Sequence, residues 1–342
     1  MKERIIWIDG LRIGGSLAVI FLHVWAAGVM EDPVAREQHW RTANWCGSFA
    51  RWGVLVFIMI GGAMLLPHAH TLSVGAFYRK RLTRLAIPTA FWTIVYVFWS
   101  ANGMPNISNV GKKLLTGAPY YHLWFVYMLL GLYLFAPFLS RFLNAVDRHT
   151  TLLAVIIGMI LYACHGIMLI MKNVYPSDVF SMWLPYVPYF LLGPLLFAGS
   201  SQRFRWVGLT LFFGGCITTA LATEALKPIL DMGERHEGRT MRLFHNRLNP
   251  LLISASIGLV LAVRGITFGA TVNTIIRRLA VYMPGVYLIH PIFIETLLQI
   301  IPLAKYEHLV IRSVLFTFAI FASALGSCAL IAFVPGGRRI VC

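Results

Sequence analysis

The sequence predicts an all-α membrane protein, a polytopic bundle of about ten transmembrane helices. Apolar residues make up 58% of the 342 residues, charged residues only 12%, and the mean hydropathy is +0.73. Soluble proteins carry about 25% charged residues, so a soluble core could not absorb this much apolar surface. The apolar runs are continuous and too long for transmembrane β-strands, which favours helices that satisfy their own backbone hydrogen bonds.

The apolar runs divide the chain into ten candidate spans with short connections between them. In order they cover 11–30, 48–66, 84–101, 122–140, 151–171, 180–199, 206–224, 248–264, 279–300 and 309–334. Spans 2 and 6 are the weakest, because Arg51 interrupts one and three prolines interrupt the other. No internal repeat is visible, and we expect one transmembrane domain over residues 1–342.

Lysine and arginine predict the orientation. With the N-terminus inside, 16 of the 29 basic residues fall in inner segments and 11 in outer ones, five of these in one loop at 225–247. Short loops rich in lysine and arginine stay in the cytoplasm, so we predict that both termini are cytoplasmic. The net charge of +16 is interpreted first as a result of this topology and second as a sign of an anionic ligand at the membrane face, and we expect no nucleic-acid partner. The loop at 225–247 is either a solvated connector or part of the mouth of a site.

Two polar residues lie in the first span, which includes DGLRIGGSLAVIFLHVW. Arg12 and His23 are eleven residues apart, so they project from the same helix face with about 16 Å between them. Arg12 then lies at the inner edge of the membrane and His23 near the midplane. A polar stripe this deep needs polar neighbours or a water-filled cavity. The alternatives are an Arg12 that reaches the headgroups and a His23 that only packs.

Further ionisable residues occur at membrane depth, and together they suggest a shared polar cavity. They are Arg51 in span 2, His122 at the start of span 4, and His290 and Glu295 in span 9. Each also has a structural explanation by itself. Arg51 could extend outward, Glu295 could pair with Arg312, and His122 could lie in the headgroup layer beside Trp124.

A basic segment, YRKRLTRLAIP, precedes span 3 at the predicted inner face. Lys80, Arg81 and Arg84 could serve topology and bind anionic lipids. They could also bind phosphate, because arginine forks suit phosphate oxygens and Arg81 and Arg84 are one helical turn apart. The five cysteines and the histidines are not at metal-ligand spacing, so we expect no metal.

At these residues the chain resembles the acyltransferase-3 family of multi-pass membrane acyltransferases, along nearly its whole length and in matching order. The motifs are IDGLRIGGSLAVIFLHVW, RWGVLVFIMIGG, RKRLTRLAIP, YHLWFVYMLLGLYLFAP, PYFLLGPLL and VYLIHP. The nearest subgroup resembles the enterobacterial common antigen O-acetyltransferase, from WIDGLR and YYHLWF. The family usually has Ser-Gly at Gly61–Gly62, arginine at Lys80 and often serine at Met283.

The resemblance implies O-acylation of a sugar on a surface polysaccharide or its lipid-linked precursor, in the bacterial inner membrane, with acetyl-CoA as the usual co-substrate. It implies catalytic roles for His23 and Arg12, and donor-phosphate binding by Arg12, Lys80, Arg81 and Arg84. Residues that would face the acceptor or the oxyanion are Arg51, His122, Trp124, Tyr287, His290 and Glu295.

Two routes for the reaction stay open. A neutral His23 could accept the proton of the sugar hydroxyl as it attacks the thioester, or His23 could itself carry the acetyl group. The spacing does not separate these routes, and we favour direct transfer. The alternative functions are a transporter with a buried His and Arg pathway, and a polysaccharide flippase or polymerase. The ordered motifs favour the acyltransferase.

Overall fold

The computed structural model describes residues 5–30, 33–101, 106–174, 178–198, 202–232, 238–303 and 307–341. These residues form helices and turns without any β-strand, which confirms the predicted all-α class. In chain order the α-helices are α1 (Ile6–Trp25), α2 (Pro33–Ala50), α3 (Trp52–Ala69), α4 (Val74–Phe77), α5 (Thr83–Trp99), α6 (Ile107–Leu115), α7 (Trp124–Ala145), α8 (Arg148–Met171), α9 (Val187–Phe197), α10 (Arg205–Leu230), α11 (Arg239–Phe244), α12 (Pro250–Val263), α13 (Ala270–Ala280), α14 (Met283–Ile300), α15 (Leu309–Ile331) and α16 (Arg338–Val341).

Eight helical segments among the described residues are long and apolar enough to cross a membrane. They are Ile6–Met30, Val34–Ala69, Val74–Trp99, Trp124–Ala145, Arg148–Met171, Arg205–Leu230, Met283–Ile300 and Leu309–Ile331. Two further apolar segments, Leu184–Phe197 and Pro250–Val263, are shorter. Each predicted span overlaps one of these ten segments. The total of ten crossings and the cytoplasmic termini stay predictions.

Prolines account for the two short segments. A 3₁₀ turn at Leu184–Tyr186 contains Pro185 and leads into α9, which has Pro188 in its first turn. Pro250 is the first residue of α12, where its missing N–H costs no helical hydrogen bond. Both helices therefore start later than an apolar run alone would suggest.

The helix around Arg51 is longer than the predicted span 48–66. Helix α2 begins at Pro33, and the backbone N–H of Arg51 still donates to the carbonyl of Gly47 at 3.1 Å. Helix α3 follows directly, so Val34–Ala69 is a helical segment of 36 residues. Arg51 therefore lies inside a helical segment and not near its end.

The chain divides into two compact units. The first consists of Met1–Phe57, Gly166–Lys172 and Gly199–Leu330, and the second of Ile58–His165, Asn173–Ala198 and Ile331–Cys342. Of the predicted site residues, the first unit contains Arg12, His23, Arg51, Tyr287, His290 and Glu295. The second contains Lys80, Arg81, Arg84, His122 and Trp124.

The first unit is built on close helix contacts. Helix α10 packs along α12, and α1 packs on α13 and α14. At the α10–α12 crossing, a methyl group on Gly208 would lie 2.6 Å from the carbonyl oxygen of Gly258. Small residues allow this backbone approach, which is typical of helix pairs in membranes.

The second unit has a similar crossing between α3 and α9. A methyl group on Gly62 would overlap the carbonyl of Phe190, and one on Gly193 would overlap the carbonyl of Met59. Helix α5 packs on α7 and on α16, where Trp92 Nε1 donates to the carbonyl of Ile340 at 2.9 Å.

Candidate active site

The centre of the candidate site is a pair of histidines from α1 and α14. His23 lies in the last turn of α1, and His290 lies in the middle of α14. Their ring nitrogens, His23 Nδ1 and His290 Nε2, are 2.8 Å apart, and the two rings are parallel within 4°. His290 is fully buried, and His23 is partly exposed. The structure thus joins two residues that the sequence placed 267 positions apart.

The residue after His290 explains how its ring is held. Pro291 has no N–H, so the carbonyl of Tyr287 lacks its usual helical donor. His290 Nδ1 lies 2.6 Å from that carbonyl oxygen and donates to it, because a carbonyl can only accept. In the neutral ring Nε2 then accepts, so His23 Nδ1 is the donor between the rings. His23 consequently has its lone pair on Nε2.

Two guanidinium groups lie near the histidine pair. Arg51, at the junction of α2 and α3, and Arg247, just before α12, both act electrostatically on His23. Arg247 also acts on Tyr287, whose ring lies 5.7 Å from that of His290. Two positive charges therefore act on His23, which suits a reaction that develops negative charge.

The predicted outer loop contributes to the same region. Its residues 233–237 lie outside the described residues, and α10 extends to Leu230. Asp231, before this gap, accepts through Oδ1 from the backbone N–H of Thr240, after the gap, at 2.8 Å and from its hydroxyl at 2.7 Å. These bonds tie α11 to the end of α10. The loop is thus, where described, an ordered part of the first unit.

His245 follows α11 and is 6% exposed. Its Nε2 lies 3.0 Å from Asn44 Oδ1 on α2. Burial lowers the pKa of His245 well below its ordinary value of 6.5, and the charge of Arg51 lowers it further. His245 is therefore neutral at pH 7 and belongs to the packed interior.

The remaining predicted residues of the first unit have their own neighbours. Arg12 forms an ion pair with Asp9, one turn earlier on α1, at 2.6 Å. The side chain of Arg12 is 29% exposed, so part of it stays accessible. Glu295 lies five residues after His290 and is partly exposed. Arg312, its suggested partner, donates through Nε to the backbone carbonyl of Glu307 at 3.0 Å.

In the second unit the basic segment forms a π-helical turn, Tyr78–Leu82, between α4 and α5. Lys80 and Arg84 are exposed, and Arg81 is partly exposed. The hydroxyl of Tyr78 donates to the carbonyl of Leu134 at 2.8 Å, which ties the turn to α7. The cationic groups are therefore presented from an anchored backbone.

His122 precedes α7 and is fully buried. Its ring meets Tyr96 edge-to-face with centroids 4.7 Å apart, and Tyr120 and Tyr121 lie within 6 Å. His122 is therefore enclosed by aromatic rings, and its position relative to the headgroup layer stays a prediction. Trp124, the first residue of α7, has its ring 6.1 Å from that of Tyr186.

Sequence reasoning missed Asn44, His245 and Arg247. The latter two lie in HNR, directly before the helix start at Asn249–Pro250. A polar triplet beside a helix start in an outer loop is a weak signal, because capping and solvation explain it equally well. Among the residues that the structure describes, no three His, Cys, Asp or Glu side chains converge on a metal site.

The comparisons with known proteins bear on the whole chain. A family model described as an acyltransferase domain matches residues 5–333 and so covers most of each unit. No curated protein and no solved structure matches the chain.

Proposed function

Because the chain belongs to the acyltransferase-3 family, we propose that it is a membrane O-acetyltransferase. It transfers acetyl from cytoplasmic acetyl-CoA to a hydroxyl group of a sugar on a surface polysaccharide or its lipid-linked precursor. It acts in the bacterial inner membrane, surrounded by lipid. The observation that carries this proposal is the hydrogen bond between His23 and His290.

His23 is the general base of the reaction. A sugar hydroxyl is too weak an acid to attack a thioester unaided, and the lone pair on His23 Nε2 accepts its proton during attack. The hydroxyl oxygen bonds to the acetyl carbon, and the carbon–sulfur bond then breaks. The proton on His23 leaves with the thiolate sulfur, so the histidine is neutral again after each turnover.

His290 has a supporting role in this mechanism. By accepting from His23 Nδ1, it holds the ring in the tautomer whose Nε2 is basic, and it stabilises the imidazolium that forms. Tyr287 supplies the backbone carbonyl that orients His290. This arrangement differs from the expectation that His290 faces the acceptor.

The positive groups divide into two sets by their proposed ligands. Arg51 and Arg247, near His23, stabilise the oxyanion of the tetrahedral intermediate. The coenzyme A phosphates bind Lys80, Arg81 and Arg84, whose exposure suits a charged ligand. Arg12, whose side chain is 29% exposed, stays a proposed phosphate-binding residue of the first unit. Glu295, His122 and Trp124 stay proposed acceptor-side residues.

Direct transfer is favoured over an acetyl-histidine intermediate. The hydrogen bond to His290 increases the basicity of His23, which serves both routes. Direct transfer requires one fewer chemical step and leaves His23 free to return its proton to sulfur.

The test compares cells that produce the wild-type protein, His23→Ala and His149→Ala. Mass spectrometry of the surface glycan detects ester-linked acetyl, and membranes supplied with radiolabelled acetyl-CoA show whether label reaches glycan. We expect acetylation with the wild type and with His149→Ala, whose exposed side chain lies at the start of α8. We expect none with His23→Ala at equal protein level. Full acetylation by His23→Ala would refute the mechanism.

A further inference from the structure

A hydrogen-bonded chain connects α10 to His245 through α2. Asn44 is fully buried, and its Nδ2 donates to the carbonyl of Ala220 at 2.9 Å. The amide oxygen of Asn44 therefore faces His245 Nε2 at 3.0 Å. An amide oxygen only accepts, so the proton of the neutral ring is on Nε2. His245 Nδ1 is left with a lone pair.

This lone pair faces the space beside Gly47. A methyl group on Gly47 would lie 3.2 Å from His245 Nδ1 and 3.5 Å from Arg51 Nε. Both nitrogens are buried and have no hydrogen-bond partner among the described residues. One is a donor and the other an acceptor, and they line the same side of one glycine. Their hydrogen-bonding needs are complementary, and buried polar groups are nearly always paired.

We propose that His245 is a positioning residue that holds Arg51 through one water molecule, which bridges Arg51 Nε–H and His245 Nδ1. This inference rests on the proposed function, in which Arg51 stabilises the oxyanion. The contact occupies Nε of Arg51 and leaves the two terminal amino groups of the guanidinium for the reacting atoms. The predicted outer loop thereby helps to set the geometry of the catalytic site.

Gly47 lies beside both His245 and Arg51 and belongs to the same arrangement. A methyl group there would also lie 3.0 Å from His245 Cε1, closer than nearly all real contacts. A side chain at this position would push the His245 ring by a few tenths of an ångström, whereas its distance to Arg51 Nε is an ordinary contact. Glycine therefore leaves the His245 ring its present position beside Arg51.

Two substitutions of His245 separate positioning from packing. His245→Gln keeps a donor at the place of Nε2 and loses the acceptor at Nδ1. His245→Asn keeps an acceptor near Nδ1 and loses the donor to Asn44. Positioning predicts that His245→Gln lowers acetyl turnover by about tenfold or more, since small misplacements are costly. It also predicts that His245→Asn loses less and that the KM for acetyl-CoA stays within about twofold in both.

A purely structural role predicts the opposite order, with His245→Gln the milder change. An Arg51→Gln background gives the matched control. If His245 acts through Arg51, His245→Gln causes no further loss of turnover in that background. A further loss of the same size in that background would overturn the proposal.

A spectroscopic measurement makes the test independent of activity. Protein with ¹⁵N-labelled histidine is studied in lipid by solid-state NMR, and His245 is assigned by its disappearance in His245→Gln. We expect an unprotonated Nδ1 whose resonance moves in Arg51→Gln and not in Arg41→Gln, a change at an exposed arginine on the same helix. No movement in Arg51→Gln would overturn the proposal. If the Nδ1 resonance moves in Arg51→Gln but the wild-type protein transfers no acetyl, the contact is supported and only the proposed function is refuted.

Discussion

At the scale of single residues, the proposed mechanism depends on which nitrogen of His23 has the lone pair. Replacing His290 by phenylalanine keeps a ring in α14 and removes the acceptor for His23 Nδ1. We expect acetyl turnover to fall about 10²-fold, because the base loses its fixed tautomer and orientation. Binding of acetyl-CoA changes little, since His290 does not contact the donor in the proposed mechanism.

The matched control is His165→Phe, the same exchange at an exposed position of α8. Turnover of both variants is measured in membranes with radiolabelled acetyl-CoA. If His290→Phe retained the wild-type rate, the tautomer assigned to His23 would have no catalytic role.

His245 makes stability depend on pH. Its pKa is lowered in the folded protein, by burial first and by Arg51 second. The unfolded chain therefore binds a proton at about pH 6.5 that the folded protein does not accept. Stability from this group is complete above pH 6.5 and falls as the pH drops towards the folded pKa, by up to about 1.4 kcal/mol per pH unit.

Unfolding midpoints in detergent between pH 7.5 and pH 5 check this dependence. We expect His245→Gln to give a flatter profile than the wild type. His149→Gln, at an exposed histidine, should leave the slope unchanged. Equal slopes for the wild type and His245→Gln would contradict the assignment of the effect to His245.

Helical periodicity was enough to predict that Arg12 and His23 share a face of α1. It could not predict that His23 contacts His290, because periodicity within one helix does not identify the partner on another. The ion pair between Arg12 and Asp9 was within reach, since residues three apart on a helix are neighbours. The contact between Asn44 and His245 could not be predicted from the sequence, because it depends on how the outer loop folds back.

At the scale of elements, the crossing of α3 and α9 gives a matched pair of glycines. The methyl group of Gly62→Ala would overlap the carbonyl of Phe190, so the helices must separate. We expect a loss of at least about 1–3 kcal/mol in the free energy of unfolding. In Gly61→Ser the new Cβ would lie 3.4 Å from Phe190 Cε2, an ordinary contact.

The family usually has serine at the place of Gly61, and the structure has room for it. Thermal unfolding of the purified Gly62→Ala and Gly61→Ser variants measures both effects. We expect the free energy of unfolding of Gly61→Ser to stay within about 1 kcal/mol of the wild type. A Gly62→Ala variant as stable as the wild type would mean that the two helices are less closely packed.

Apolar runs located every described helical segment that is long and apolar enough to cross a membrane, but not the ends of these segments. Helix α2 extends back to Pro33 although polar residues interrupt the segment 33–47, because helix formation there does not need a continuous apolar surface. The prolines around residues 185–194 gave the weak span its short helix, as expected from their missing N–H. Composition therefore predicted the membrane class, whereas local features such as these prolines determined the lengths of the helices.

At the scale of the whole molecule, the proposed function, with acetyl-CoA as its donor, requires a defined orientation. Acetyl-CoA is a cytoplasmic donor, so Lys80, Arg81 and Arg84 can bind it only if the segment before α5 faces the cytoplasm. The excess of basic residues in the short inner loops predicts this orientation, with both termini inside. The prediction is testable without any assay of acetyl transfer.

Single cysteines in a cysteine-free protein report the orientation. Lys172, predicted outside, and Arg203, predicted inside, are both exposed positions. In spheroplasts, a membrane-impermeant maleimide should label Lys172→Cys at once and Arg203→Cys only after permeabilisation. The parent without cysteines should stay unlabelled in both conditions. The reverse pattern would place the basic segment outside, where acetyl-CoA is absent, and the donor would then have to bind elsewhere.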